Sequence, residues 1–462
     1  MAKFGVSVRC TALVRPVLCV TLFALLGLAP LHAATTWYLL EVDPDTTCGE
    51  NSVIMDANHY PHVFYYRGAP PDVYLVHSSW NGSGWSREVV AEAEDYTNGG
   101  PSAAFDRLGR IHVAYNCAEG EGLGYALFDS VWHCETVDTV GDASTADQVS
   151  LAVDSLGNPH IAYFRGITGI PLRYASKQGG NWTFVDGLPD NVAWDPTLVL
   201  DSLDHAHFTY MENGDYNVYY SIFDGTNWSH DTILSPGANS YSSFVLDRRG
   251  NPDVSFFQGS NGPPGGDLSL WFARKDSGVW NSSLVDQGSQ TAKRGWENHI
   301  VMTPDDTVHI AYYCHNEMLL KHAWGDGSSW NSEVVEAITA YVSYIGFCAD
   351  GQDLFITYTK GQWDTPYLAA LWLASTRKLA GVAEEKKVGR SQVQACTATP
   401  NPFRSFAVVP GHESERFALY DLSGKRVGTF PGNRIGSDVS PGIYFLRPGG
   451  NNPKSLLVVK TK

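Results

Sequence analysis

A phrase of eleven residues recurs along this chain of 462 residues. Three copies are close to one another: FDRLGRIHVAY at 105–115, VDSLGNPHIAY at 153–163 and LDSLDHAHFTY at 200–210. Four weaker copies begin at 55, 246, 302 and 348, so the phrase occurs seven times. Each copy consists of a strand-forming segment, a polar turn and a second strand-forming segment, which predicts a β-hairpin.

Two more strands follow the hairpins. LRYAS (172–176), VYYSI (218–222) and LKHAW (320–324) are third strands, and fourth strands begin with Trp followed five residues later by Val or Ile. Such fourth strands begin at Trp85, Trp132, Trp228, Trp280 and Trp330. The repeat spacing of about 46 to 56 residues is typical of propeller blades or kelch-like units. The sequence therefore predicts an all-β protein whose residues 34–376 form a seven-bladed β-propeller of small antiparallel sheets around a channel.

The seventh unit lacks a Trp strand of its own, because LAALWLAS (368–375) is followed by RKLAGVAEEKK. A solitary strand-forming segment, TTWYLLEV at 35–42, stands far from any hairpin partner, and its Trp37 and Val42 keep the five-residue step. We expect this segment to close the propeller as the outer strand of the last blade, which would leave no blade incomplete.

Residues 1–33 have the pattern of an export signal. Lys3, Arg9 and Arg15 precede an apolar run from Val17 to Ala29, and a small-residue cleavage site follows. The run is shorter than the ~20 apolar residues of a membrane-spanning helix, and no later stretch approaches that length. We expect a protein that is secreted or held on the outer cell surface after signal cleavage, without a transmembrane segment.

The formal net charge of −17 opposes binding to nucleic acids, whose partners concentrate Lys and Arg on one face. No phosphate-binding glycine loop or nucleophile elbow stands out, so no cofactor is expected. Six cysteines follow the signal, an even number in a compartment that permits disulfides: Cys48, Cys117, Cys134, Cys314, Cys348 and Cys396. They allow fifteen connectivities and lack the short paired spacing of zinc sites, so no metal site is expected.

A second module follows a charged linker at 377–394 that is poor in aromatic residues. Residues 395–462 contain the segments ATPNPF (398–403), FALYDLSGKRVGTF (417–430), DVSPGIYFLRP (438–448) and KSLLVVK (454–460). In order and spacing this region resembles the C-terminal sorting domain, type A, of the type IX secretion system. The matching residues are Pro400, Asn401, Pro402, Tyr420, Asp421, Gly424, Gly442, Tyr444, Val458, Val459 and Lys460.

The resemblance to the sorting domain implies a small immunoglobulin-like β-sandwich. It also implies passage across an outer membrane with the type IX secretion machinery as partner, often with removal of the domain and attachment to the cell surface. The segment between Phe403 and Arg416 is short for the family, so an early strand is expected to be truncated.

Histidine returns at one position of the repeated phrase, in five of the seven copies. These residues are His62, His112, His160, His207 and His309. We interpret them as structural, with the ring bonded to a neighbouring strand, because functional sites depart from repeat symmetry whereas framework residues follow it. The aspartates found six positions earlier in most copies are interpreted as turn residues.

The residue two positions after the Tyr of the phrase varies from unit to unit. This column and a nearby loop supply the candidate ligand-binding rim: Arg67, Arg165, Glu212, Gln258, Lys360 and Trp363. Connections between second and third strands leave a propeller on the same face as those between blades, so these residues should surround one mouth of the channel, where loops commonly carry function. We predict binding of an extracellular glycan or protein there.

The repeats also resemble those of sialidase-like and polysaccharide-lyase propellers, and HIAYYCHNEMLLKHAW (309–324) places His315 close to Tyr313. A lyase needs a base that removes a proton beside a carboxylate and a cation that holds this carboxylate; His315 and Tyr313, with Arg67 or Arg165, are the candidates for these roles. However, no copy contains the Ser-x-Asp-x-Gly-x-Thr-Trp box of sialidases, and Glu212 is the only acid in the rim column, whereas a glycosidase needs two carboxyl groups. Binding is therefore the leading hypothesis, with a glycan-active enzyme and a passive adhesion scaffold as alternatives.

Overall fold

A computed structural model describes residues 35–45, 47–69, 72–93, 99–117, 122–139, 149–167, 170–186, 193–212, 217–233, 239–258, 268–289, 293–338, 341–362, 365–380, 386–387, 404–409, 416–421, 425–448 and 456–461. The export signal at 1–33 lies outside these residues and stays a prediction. The described part contains β-strands and no helices, which confirms the all-β prediction. No helix there is long and apolar enough to span a membrane.

The repeats fold into four-stranded antiparallel sheets whose strands pair in chain order. The first strand of the chain is β1 (Tyr38–Asp43). Sheet I contains β2 (Cys48–Met55), β3 (Pro61–Ala69), β4 (Asp72–Trp80) and β5 (Trp85–Ala93). Sheet II contains β6 (Ser102–Phe105), β7 (Ile111–Asn116), β8 (Leu123–Phe128) and β9 (Trp132–Asp138). Sheet III contains β10 (Val149–Val153), β11 (Pro159–Ile167), β12 (Ile170–Gln178) and β13 (Asn181–Val185).

The later repeats follow the same plan. Sheet IV contains β14 (Ala193–Leu200), β15 (Ala206–Glu212), β16 (Val218–Phe223) and β17 (Trp228–Thr232). Sheet V contains β18 (Asn239–Leu246), β19 (Pro252–Gln258), β20 (Ser269–Asp276) and β21 (Val279–Asp286). Sheet VI contains β22 (Arg294–Met302), β23 (Val308–Cys314), β24 (Leu319–Gly325) and β25 (Trp330–Ala337). Sheet VII contains β26 (Tyr341–Asp350), β27 (Asp353–Gln362) and β28 (Thr365–Ser375), and it is completed by β1.

The segment TTWYLLEV is the fourth strand of sheet VII, as its Trp step predicted. β1 pairs antiparallel with β28, with Leu39 opposite Ala374 and Leu40 opposite Leu373. A short strand, β29 (Lys386–Lys387), pairs with the other edge of β1 at Tyr38 and Leu39, so part of the predicted linker is hydrogen-bonded to the sheet.

Trp37 makes the contact that Trp residues make in other units. Its indole Nε1 donates to Glu333 Oε1 of sheet VI over 3.0 Å. In the same way Trp132 of sheet II donates to Glu88 Oε1 of sheet I over 3.1 Å. Trp37 lies near the start of the chain, but it occupies the position of the fourth-strand Trp in the last repeat.

In sheets I to V, an aspartate holds the turn between the first and second strands. Asp106 Oδ1 accepts the amide hydrogens of Leu108 at 2.8 Å and Arg110 at 2.9 Å. Gly109 in this turn has a φ of 78°, which a residue without a side chain adopts at little cost. Asp154, Asp201 and Asp247 accept amides two and four residues later in the same pattern. The interpretation of these aspartates as turn residues agrees with this geometry.

The apolar core is divided among the spaces between successive sheets. One cluster joins Phe64 and Leu75 of sheet I to Val113 of sheet II, and similar clusters join II to III, III to IV, IV to V, V to VI and VI to VII. A further cluster joins Leu371 of sheet VII to Val63 of sheet I. The first strands of the sheets also contact one another in order, and β26 contacts β2. Burial between sheets therefore continues from the last repeat to the first.

The C-terminal region forms a separate sheet with its own core. Its strands are β30 (Arg416–Tyr420), β31 (Arg426–Pro431), β32 (Gly442–Pro448) and β33 (Leu456–Lys460), paired in the order β31, β30, β32, β33. Ala407, Val409 and Ile435 pack on one face of this sheet. The assignment of the region to the immunoglobulin-like class stays a prediction.

Candidate functional site

The predicted rim lies where second strands end and first strands begin. At this end, five first strands carry a β-bulge: β2, β14, β18, β22 and β26. Bulges bend a strand and redirect its side chains, and they occur often beside active or binding sites. The repeated scaffold is therefore most irregular at the end where ligand binding was predicted.

Carboxylates at this end accept hydrogen bonds from tyrosines of the next sheet. The donor and acceptor pairs are Tyr65 with Asp43 at 2.6 Å, Tyr163 with Asp138 at 2.5 Å, Tyr312 with Asp286 at 2.6 Å and Tyr358 with Glu336 at 2.5 Å. Each acid belongs to a fourth strand or directly follows it, and each tyrosine belongs to a second strand. We name these four pairs the tyrosine–carboxylate clasps. They connect neighbouring sheets.

Each clasp also holds a cation. Arg67 Nη1 lies 3.2 Å from Asp43 Oδ2, Arg173 Nη1 lies 3.1 Å from Asp138 Oδ2, and Lys360 Nζ lies 2.8 Å from Glu336. Lys321 and Arg294 both contact Asp286. The predicted rim residues Arg67 and Lys360 are thus at the expected end of their sheets, but each is paired with an acid of the protein.

In the clasp of Asp286, the carboxylate and the cations beside it stabilise one another. Burial alone would raise the pKa of Asp286, but hydrogen bonds from Lys321 and Tyr312 together with the nearby positive charges lower that pKa below its ordinary value. Asp286 is therefore ionised at neutral pH and already has its partners. The clasp is a poor source of a general acid, which requires a carboxyl group with a raised pKa.

The remaining rim candidates are described to different degrees. Gln258 ends β19, is half-buried and lies opposite Asn239 and Ser269 in the sheet register. Arg165 and Glu212 lie on β11 and β15, but their side chains fall outside the described residues, as does all of Trp363. Their role in ligand binding stays a prediction.

The two catalytic candidates are neighbours, but only His315 lies near the surface. Its ring contacts that of Tyr313 edge to face, with 6.0 Å between the ring centroids. The His315 amide donates to the carbonyl of Lys293 over 3.1 Å, and its Nδ1 lies 3.2 Å from Asn316 Oδ1. Tyr313 is only 1% exposed, and burial raises the pKa of its phenol. A buried phenol of raised pKa does not favour proton abstraction from a polymer.

A cluster of polar contacts that the repeat pattern does not predict lies on the first strands of sheets I, VI and VII. Tyr344 of β26 donates its backbone N–H to Glu297 Oε2 over 2.6 Å, and its carbonyl accepts from Asn51 Nδ2 over 2.6 Å. The neighbouring Glu50 is 6% exposed and accepts the amide of Gly99 over 3.0 Å. We name Glu50, Asn51, Glu297 and Tyr344 the inner-strand junction.

Tyr344 has a φ of 59°, a left-handed conformation that a bulky side chain rarely adopts. Such backbone strain costs about 1–3 kcal/mol and is concentrated at functional sites. Bonds to Glu297 and Asn51 on both sides of the residue hold it in place. The sequence gives no signal for this arrangement, because it arises from bulges that shift the register of separate strands.

The recurring histidines lie inside the sheets. His112 Nδ1 lies 2.7 Å from the hydroxyl of Tyr125 and its Nε2 lies 3.5 Å from Asp106, while His160 and His207 make the same contacts with Tyr174 and Tyr220. His62 and His309 instead approach His77 and His322, both at 2.9 Å. Burial lowers the pKa of all five histidines. These contacts link second to third strands, and the structural role of the five histidines stays our interpretation.

Cysteines and metal-binding side chains form no site in the described part of the chain. No disulfide joins the five cysteines of this part, Cys48, Cys117, Cys134, Cys314 and Cys348, and Cys396 lies outside it. Burial raises the pKa of Cys48 and Cys348, which makes them poor nucleophiles. Across the same residues, no group of three His, Cys, Asp or Glu side chains is arranged to hold a metal ion.

Comparison with known proteins supports the fold. No protein-family model matches the chain, and no curated protein matches it. Among solved structures, it is similar to an ulvan lyase of a new polysaccharide lyase family, bound to -[GlcA(1-4)Rha3S]-, at 15% identity over 72% of this chain and 95% of the lyase, with a TM-score of 0.54.

Two other solved structures align more loosely. A protein of unknown function from Dyadobacter fermentans is 11% identical over 73% of this chain and 97% of that one, with a TM-score of 0.47. The Aleuria aurantia lectin is 13% identical over 63% of this chain and 97% of the lectin, with a TM-score of 0.43. Of these structures, the ulvan lyase is the one whose fold this chain shares, and the repeats of this chain form four-stranded antiparallel sheets.

Proposed function

We propose that this protein is an exported, seven-bladed β-propeller that binds a glycan at one mouth of its ring without cleaving it. Sheets I to VII are its blades. The continuous core from sheet VII to sheet I supports a closed ring, as does the position of β1 in the last blade. The observation that carries the binding function is the strained, doubly anchored Tyr344 within the inner-strand junction.

Binding is favoured over catalysis by the state of the charged groups near this mouth. The four clasps keep their carboxylates hydrogen-bonded and their cations paired. A glycosidase needs a protonated and an ionised carboxyl group facing one bond, and a lyase needs a cation available for the substrate carboxylate. The paired cations suit a framework role better than either reaction.

A glycan is the ligand class that we favour over a protein. Sugars are bound by aromatic rings together with closely spaced donors and acceptors, and Tyr344 of the inner-strand junction would supply such a ring. The similar ulvan lyase also holds a saccharide, which is consistent with this choice. Arg67, Gln258 and Lys360 would border this ligand, and Arg165, Glu212 and Trp363 are proposed as further rim residues.

Residues 395–462 are proposed to be the type IX sorting domain, an immunoglobulin-like sandwich that directs the chain to the outer cell surface. The order of β30 to β33 and the buried Tyr444 and Val458 support this proposal. The export signal at 1–33 would take the chain across the inner membrane first. The type IX machinery would then be its partner in export.

The test is to pass the purified protein over arabinan, galactomannan, pectate and alginate columns while following the absorbance of unsaturated uronates and the release of reducing ends. We expect retention on at least one glycan, with neither signal. Tyr344→Gly should weaken retention about tenfold or more without lowering the melting temperature, because glycine accepts a φ of 59° without strain.

Ser277→Gly is the matched control. Ser277 also has a positive φ, 51°, but lies in the turn between β20 and β21 at the opposite end of its sheet. It should bind as the unchanged protein does. Product formation that disappears in His315→Ala would replace the binding proposal with an enzyme, and absence of retention on every glycan would leave a scaffold.

A further inference from the structure

The C-terminal sheet has one face that is well covered. Side chains alternate between the two faces of a strand, and the inward positions of β30 and β32 hold Phe417, Leu419, Tyr444 and Leu446, all 7% exposed or less. Val458 of β33 joins them. This face forms the core of the C-terminal unit.

The opposite face of the same sheet is apolar at its centre and open to solvent. Ile443 is 44% exposed and Phe445 is 36% exposed, both at outward positions of β32. Phe445 lies opposite Tyr420 of β30, and Ile443 lies opposite Val459 of β33, so the apolar side chains are contiguous across three strands. Contiguous exposed apolar groups with a polar border mark interaction surfaces.

Arginines border this apolar centre. Arg447 lies with its guanidinium carbon 5.1 Å from the Tyr420 ring centroid, and the exposed Arg416 and Arg426 lie at outward positions of β30 and β31. In the described strands of this sheet, no outward position holds Asp or Glu. Residues 395–462 contain nine Lys and Arg against four Asp and Glu, within a chain of net charge −17. The face is basic on an acidic protein.

We propose that this face, formed by Tyr420, Ile443, Phe445, Arg416, Arg426 and Arg447, is the docking surface for an acidic protein surface with an apolar centre. The inference rests on the proposed export function and names the part of the sorting domain that its export partner contacts. Arginine at an interface pairs with carboxylates in a two-pronged geometry, and aromatic side chains supply the buried anchor. Charge complementarity therefore selects an acidic partner.

The test expresses the full chain in a type IX secreting bacterium and measures the fraction that reaches the cell surface. Phe445→Ser, Ile443→Ser and Arg447→Glu should each reduce that fraction at least fivefold, with accumulation in the periplasm. Arg447→Lys should restore most of it, because the positive charge remains. Val427→Ser is the matched control, since Val427 is 42% exposed on the neighbouring β31 at the register shift beside Tyr420, outside the proposed contact.

The outcomes separate this inference from the export proposal. If a chain ending at residue 394 stays in the periplasm while the face variants reach the surface, the docking face is wrong and the export proposal stands. If the truncated chain also reaches the surface, both fail. Purified variants must keep the melting temperature of the C-terminal unit. A salt-sensitive dimer of the full chain that Phe445→Ser abolishes would identify a second copy as the occupant, which would overturn the proposal.

Discussion

The recurring histidine of sheet VI, His309, belongs to a chain of polar contacts that ends at Trp37, near the start of the sequence. His309 Nδ1 lies 2.9 Å from His322 Nε2, His322 Nδ1 lies 3.2 Å from Glu333 Oε1, and Trp37 donates to the same oxygen. Repetition along the sequence identified His309 as a framework residue. It could not identify His322 and Glu333 as its partners, because the contacts depend on strand register.

The sheet VI histidines should make stability depend on pH. Burial and the neighbouring His322 lower the pKa of His309 to about 3, whereas an unfolded histidine titrates near 6.5. Between these values the unfolded chain binds a proton that the folded protein does not, so the free energy of unfolding falls as pH falls. His309→Gln should reduce this slope by up to about 1.4 kcal/mol per pH unit, measured by urea unfolding between pH 7 and 4.5.

The exposed His133 provides the control for this measurement, since its side chain is 58% exposed. His133→Gln should leave the slope as it is in the unchanged protein. Parallel curves for the unchanged protein and His309→Gln would contradict the assignment of a neutral, half-buried ring.

For the rim residues, the repeat pattern predicts the end of the sheet at which they lie but not the side chains that they contact. The end of the sheet at which Arg67 and Lys360 lie followed from the repeat. Their carboxylate partners did not, because Asp43 and Glu336 come from a different sheet. Tyr344 was missed altogether, since a left-handed tyrosine results from the bulge in β26 and not from a local motif.

At the scale of elements, β1 was the strand best predicted from sequence. The five-residue step from Trp37 to Val42 assigned it to the last repeat, and the register with β28 confirms that assignment. β29 was not predicted, because the segment that contains it was interpreted as a linker. Two lysines pair there with Tyr38 and Leu39, although their composition does not favour a strand.

Deletion of residues 35–42 should destabilise all of the repeats together. Trp37, Leu39 and Val42 are buried between sheets, and each such side chain contributes about 1.5–3 kcal/mol. We expect the repeats to unfold in one transition that is shifted to a clearly lower temperature by circular dichroism, and the shift to be partly reversed by adding the peptide TTWYLLEV. Deletion of Lys386 and Lys387, which removes β29 alone, should change the melting temperature little. A deletion of 35–42 that melts as the unchanged protein does would refute the closing role of β1.

At the scale of the whole molecule, the repeats and the C-terminal sheet have separate cores. Val458, Phe417 and Ile435 form one cluster with other C-terminal residues, whereas Phe208 packs among residues of sheets III and IV. The sequence pattern changes near residue 377, and the domain bounds drawn there stay a prediction. The blade count and the sandwich class still depend on the repeat count and on family resemblance.

Two cores predict two transitions in scanning calorimetry of the full chain. Phe417→Ala should lower only the transition of the C-terminal unit, and Phe208→Ala only that of the repeats, since removal of a buried phenylalanine costs about 3–5 kcal/mol. Both side chains are completely buried, which makes the two variants matched. A common shift of both transitions in either variant would mean that the two units unfold cooperatively.

The position of β1 also sets the order in which the molecule can be completed. Trp37 and Glu333 are 296 residues apart, and β28 ends at Ser375. β1 is synthesised early but cannot pair until β28 has been synthesised. Contacts so distant along the chain are slow to form. Until then both strand edges are available to other chains, which exposes the protein to aggregation. Export, as proposed above, would postpone this step until the chain has left the cytoplasm.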